Sequence, residues 1–166
     1  MKLILASLLL FPVIFACAQK RGATQHDLDS LPGYWTGSIT FTDYSDDHTK
    51  QSLPALLIIT SKTDSLALDY SYTQTNGKIV ANKGDLRIYN EGTNLQLDGI
   101  EYVIVAVRRE GPRLTIIAER DGTDNNKEAT IRQTFIIGPG ILNITKEVKY
   151  ETQEKFFVRT YMRLRK

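Results

Sequence analysis

His48 lies beside Asp43, Asp46 and Asp47 in "DYSDDHTK" (43–50), a set of oxygen and imidazole donors that could hold a hard or borderline metal ion. The spacing matches neither an EF-hand loop nor a His-x-x-x-His zinc pair, so an exposed hairpin loop is the favoured reading. "DGTDNNKE" (121–128) is a second oxygen-rich stretch. It lacks the Asp-x-Asx-x-Asx-Gly spacing of a calcium loop and reads as a polar hairpin turn, with Asp121-Gly122 supplying the positive φ. There is no Gly-x-Ser-x-Gly and no phosphate-binding glycine loop, and both histidines, His26 and His48, fall in the front third of the chain. No catalytic residue, metal or cofactor is expected, and enzymatic activity is not expected.

Cys17 is the single cysteine, in "LLLFPVIFACAQKRG" (8–22). Met1-Lys2, an uncharged apolar run from Leu3 to Phe15 and small residues at 16–18 have the order of a secretory signal peptide. The run is shorter than the ~20 apolar residues of a membrane span. Two cleavages fit. Ala16-Cys17-Ala18 before Gln19 satisfies the small-x-small rule and would remove residues 1–18, cysteine included. Ile14-Phe15-Ala16-Cys17 resembles the lipobox of bacterial lipoproteins, in which cleavage after residue 16 leaves an acylated cysteine. The lipoprotein reading is preferred. Acyl chains contribute ~0.8 kcal/mol per buried methylene, so two or more anchor a domain stably. Either way the mature chain has no internal disulfide, and its stability must come from its core.

The remaining length suits one domain, a polar leader over 19–30 followed by a folded unit over 31–166. Loss of Lys2 leaves 20 Lys and Arg against 19 Asp and Glu, a near balance that argues against a nucleic-acid partner. The charges are segregated, with five acids and no Lys or Arg over 27–47, and seven basic against three acidic residues over 146–166. Solvated strand faces are the simpler account of both stretches.

The elements that must position any site are strands. "YWTGSITF" (34–41) alternates Trp35, Gly37, Ile39 and Phe41 against polar partners. "SLALDYSYT" (65–73) does the same with Leu66, Leu68, Tyr70 and Tyr72. Further β-rich runs cover 53–60, 78–81, 85–89, 93–97, 100–108, 113–120, 129–137, 141–150 and 155–165, separated by Asn-Gly, Glu-Gly, Asp-Gly and Gly-Pro turn signals. A short helical turn is expected around His26–Leu31. Mostly short connections predict a meander of nine or ten strands, and closure removes its edges. The expected fold is all-β, a single antiparallel up-and-down barrel of about 8–10 strands.

Leu31-Pro32-Gly33-Tyr34-Trp35 resembles the Leu-x-Gly-x-Trp opening of lipocalins and their calycin relatives. The resemblance extends to the strand pattern over most of 31–165. It implies a short helical turn leading into the first strand, with Trp35 plugging the closed end of the barrel. It further implies an arginine of the last strand across that indole, with Arg159, Arg163 and Arg165 available. "GYWTG" also resembles the opening of nitrobindin-type haem barrels, but no histidine stands near the C-terminus to ligate iron, and haem is not expected.

The remaining candidate site is the barrel interior, where Trp35, Tyr70, Tyr72, Tyr102, Arg132, Gln133, Arg159 and Tyr161 sit mid-strand. The expectation is an exported, non-enzymatic binding protein, periplasmic or anchored to the outer membrane as a lipoprotein, otherwise secreted. Its partners would be a small, mostly apolar molecule in the barrel and, through a lipidated Cys17, a membrane. The alternative is an envelope interaction module with a packed interior and no ligand, presenting loops 42–52 and 121–127 and the basic last strand.

Overall fold

The structure, a computed structural model, describes residues 22–46 and 48–166. Cys17, both cleavage sites and Asp47 lie outside the described residues. Ten antiparallel strands close into one barrel in which every strand pairs with its sequence neighbours and the last returns to the first. They are β1 (Gly33–Thr42), β2 (Lys50–Ser61), β3 (Leu66–Thr73), β4 (Ile79–Tyr89) and β5 (Asn94–Leu97). The second half comprises β6 (Ile100–Glu110), β7 (Arg113–Asp124), β8 (Lys127–Gly138), β9 (Ile141–Tyr150) and β10 (Phe157–Arg165). The seam joins β1 to β10, with Gly37 opposite Leu164 and Ile39 opposite Met162.

Period-two burial sets the inner wall. On β8 the buried positions are Ala129, Ile131, Gln133, Phe135 and Ile137, so every even residue between them faces outward. The same alternation turns Leu53, Ala55, Leu57 and Ile59 of β2 inward. Two bulges break the parity. One lies between Ile104 and Ala106 of β6, the other between Val158 and Thr160 of β10. At the second, Arg159 is the extra residue and is buried, while Thr160 and Met162, beyond it, line the interior. A bulge re-aims side chains in this way because two residues oppose one. It places both Arg159 and Thr160 inside the barrel.

One end is closed. The 3-10 turn Gln25–Leu28 and the segment leading into β1 bury Ala23, Leu28 and Leu31 over Trp35, each at most 1% exposed. The indole Nε1–H donates to the Leu31 carbonyl at 2.7 Å, which satisfies the one polar atom the plug buries. A cation does cover the indole, but it is Lys166, whose Nζ lies 5.0 Å from the ring and donates to the Ser30 carbonyl at 2.8 Å. None of the three expected arginines takes this place. Arg159 is at the other end of β10, and the bulge leaves Arg163 and Arg165 on the outer wall, either side of buried Leu164.

Two further expectations are corrected. The runs at 78–81 and 85–89 are one strand, β4, because Asn82, Lys83 and Gly84 continue the ladder to β3. The polar stretch 121–127 is not a loop. β7 and β8 remain paired through Asp124 and Lys127, and the turn is only Asn125-Asn126, with φ of 51° and 59°. Two consecutive asparagines in the left-handed region make the tight hairpin, in place of Asp121-Gly122.

Candidate functional site

The interior is not packed solid. A cavity of about 290 Å³ lies between the Trp35 plug and the open end. Its apolar wall is Ile39 of β1, Leu57 of β2, Leu68 of β3, Leu97 of β5, Ile144 of β9 and Met162 of β10. Polar groups enter from Tyr70, Gln133, Lys146, Thr160 and the Asp98 turn. A larger recess of about 470 Å³ runs along His48 and residues 153–157, but it is a more open surface feature outside the wall.

Asp98 and Gly99 form the two-residue turn between β5 and β6, with φ of 54° and 75°. β5 spans only Asn94–Leu97, so this turn forms part of the cavity wall. The Asp98 N–H donates to the Asp85 carbonyl at 2.8 Å, and its carboxyl folds back over Gly84. A Cβ on residue 84 would stand 1.7 Å from Asp98 Oδ1, so only glycine leaves this space. The Tyr70 hydroxyl donates to Asp98 Oδ2 at 3.1 Å. Partial burial raises the Asp98 carboxyl above the ordinary carboxylate value, and the neighbouring Asp85 adds to this; the Tyr70 hydrogen bond offsets only part. Burial, reinforced by Asp98, pushes the Tyr70 phenol up to about 12, so it stays a donor.

Across the cavity is a compact charge cluster. Asp124 and Arg159 are 4% and 1% exposed. The Arg159 Nε and the Tyr150 hydroxyl donate to Asp124 Oδ2 at 3.0 and 3.2 Å, and Lys146 Nζ donates to Oδ1 at 2.7 Å. The Arg159 guanidinium also lies 4.3 Å from the Tyr44 ring centre and 4.8 Å from that of Phe157. Burial alone would raise the Asp124 carboxyl, but Lys146, Arg159 and Tyr150 together hold it below the ordinary value. The cluster ties β7, β9, β10 and the β1–β2 connection together at the open end. Asn125 adds a hydrogen bond to the Tyr44 carbonyl at 3.1 Å.

The residues singled out from the sequence are distributed as follows. Tyr70 and Gln133 line the cavity, and Gln133 also reaches the hydroxyl of buried Tyr102 at 3.4 Å. Tyr72 packs at the edge of the core, its ring 6.4 Å from that of Phe41, while Trp35 forms the closed end. Arg159 is in the charge cluster. Arg132 and Tyr161 are on the outer wall. Arg132 pairs with Glu119 at 2.6 Å and lies over the Phe156 ring, and Tyr161 borders an external groove with Thr40 and Thr42. Among the described residues no three His, Cys, Asp or Glu side chains converge on one point, and Asp46 instead caps the backbone of His48 and Thr49.

Asp98, Lys146, Thr160 and Asp124 were not read from sequence. Alternation counted onward from Leu114, Ile116 and Ala118 reaches Asp124, and from Leu142 and Ile144 it reaches Lys146, so both had a signal. Asp98 and Thr160 had none, since a turn and a bulge place them. No protein-family model matches the chain, and no curated protein does either. Fold and site together define a ten-stranded antiparallel barrel with an internal, mostly apolar cavity.

Proposed function

We propose that this protein is an exported carrier that holds one small, mostly apolar molecule inside the barrel, in the manner of the calycin-type barrels it resembles. The observation that supports the reading is the cavity. Six apolar side chains from six strands line it, and a few polar groups converge on it, the usual build of a small-molecule site. Its 290 Å³ is at the small end for such sites, which suits a compact ligand. A solid interior, as an interaction module would have, gives no reason for the space.

The test is titration with N-phenyl-1-naphthylamine, an uncharged apolar fluorophore. Saturable binding at one site per chain is expected. Filling the cavity by Ile144→Trp with Met162→Trp is expected to weaken it at least tenfold while the melting temperature moves by only a few degrees. Absence of saturable binding to the parent protein, or equal binding by the filled variant, would overturn the carrier reading.

A further inference from the structure

We infer that the polar end of the ligand is a cationic nitrogen, as in an alkylamine, seated against the Asp98 carboxylate beside Tyr70. The inference rests on the carrier reading and adds the ligand's chemical class.

Three observations carry it. First, the carboxyl is placed by construction. A tight turn in the left-handed region presents it, and the missing side chain of Gly84 leaves the space it occupies. Second, it has no countercharge. Among the described residues no Lys, Arg or His forms an ion pair with Asp98, and its side-chain hydrogen bond comes from the neutral Tyr70 hydroxyl. Its other charged neighbour is Asp85, of the same sign. Third, the cations nearby are committed. Lys146, the basic residue lining the cavity, is held by Asp124 at 2.7 Å, and Arg159 shares that carboxylate and the Tyr150 hydroxyl. Arg120, further up β7, is not among the lining residues; its guanidinium lies over Gly122 and 5.6 Å from the Tyr102 ring centre.

Asp98 is itself exposed to solvent, so its lack of a cation costs little alone, but an incoming ammonium gains there because charge-assisted hydrogen bonds are stronger than neutral ones. An anionic ligand would have to share Lys146 with Asp124 while facing Asp98. The raised Asp98 value has the same origin, a carboxylate poorly compensated by its surroundings.

The experiment is calorimetric titration with octylamine, octanol and octanoate, which share one chain and differ in charge, alongside the naphthylamine probe. Octylamine is expected to bind at least tenfold more tightly than either of the others. Asp98→Asn removes the charge but keeps a residue that tolerates positive φ. Gly84→Ala keeps the charge and displaces the carboxyl. Both are expected to reduce octylamine binding to the octanol level, and an unchanged circular dichroism spectrum with a melting temperature within a few degrees of the parent shows the barrel intact. Equal binding of all three, preference for octanoate, or an amine preference that survives both variants would overturn the inference and leave the carrier reading standing. If neither the alkyl ligands nor the naphthylamine bind, both fail together.

Discussion

Asp124→Asn is expected to lower folding stability by about 3–5 kcal/mol, the usual result of breaking a buried ion pair from one side. For a domain of this size that corresponds to a fall of about 10–15 °C in melting temperature, read by calorimetry or circular dichroism. The magnitude follows from what remains. Arg159 is 1% exposed and would keep its charge while losing the Asp124 carboxylate, one of several partners that include the Tyr150 hydroxyl. Lys146, with a quarter of its side chain exposed, can turn to water; Arg159 cannot. The double variant Asp124→Leu with Arg159→Met removes both buried charges and is expected to be closer to the parent than the single variant. A single variant that melts within about 2 °C of the parent would show that Arg159 finds other solvation there.

The same cluster gives stability a pH dependence of defined sign. Asp124 is held below its ordinary carboxylate value in the fold, so the unfolded chain binds its proton more readily. Its contribution is therefore complete above the unfolded value of ~3.9 and is lost as pH falls through the lower folded value. Asp27, where burial is outweighed by hydrogen bonds from Thr24 and by Arg109, behaves alike. Asp124→Asn is expected to flatten the acid limb of the stability curve, and an unchanged limb would mean that other carboxylates carry it.

The second large effect is at the closed end. Trp35→Ala is expected to cost about 3–5 kcal/mol, the range for truncating a fully buried aromatic. The indole is 1% exposed, covered by Leu28 and Leu31, and its removal leaves a void and an unpaired Leu31 carbonyl. Trp35→Phe keeps most of the volume and loses the 2.7 Å hydrogen bond and part of the Lys166 contact, so a smaller loss, about 1–2 kcal/mol, is expected. The difference between the two variants in denaturant titration separates packing from hydrogen bonding. Equal losses would show that the hydrogen bond, not the filled volume, holds the plug.

Much of the architecture could be read from local pattern. Alternation in 34–41 and 65–73 gave the inward faces of β1 and β3, and the short connections predicted the up-and-down order that closes the barrel. The runs at 78–81 and 85–89 are separated in the sequence by polar residues and a glycine, yet the ladder continues. Gly84 is there for space above its Cα, a requirement set by Asp98 from another strand pair.

By itself, then, the sequence determined the class of fold and most of the chain's turning points, while the plug residue followed from the resemblance of the opening motif. It did so because period-two burial and turn chemistry act over a few neighbouring residues, which a linear reading can see. Only the tertiary structure decided which polar residues meet. Asp98 and Tyr70 are 28 residues apart, and Asp124 and Arg159 are 35 apart. Their contacts depend on barrel register, on one extra residue in β10 that reverses its parity, and on a short β5 that brings a turn to the cavity wall. A bulge and a cavity are properties of how strands close on one another, and no local stretch of chain encodes them.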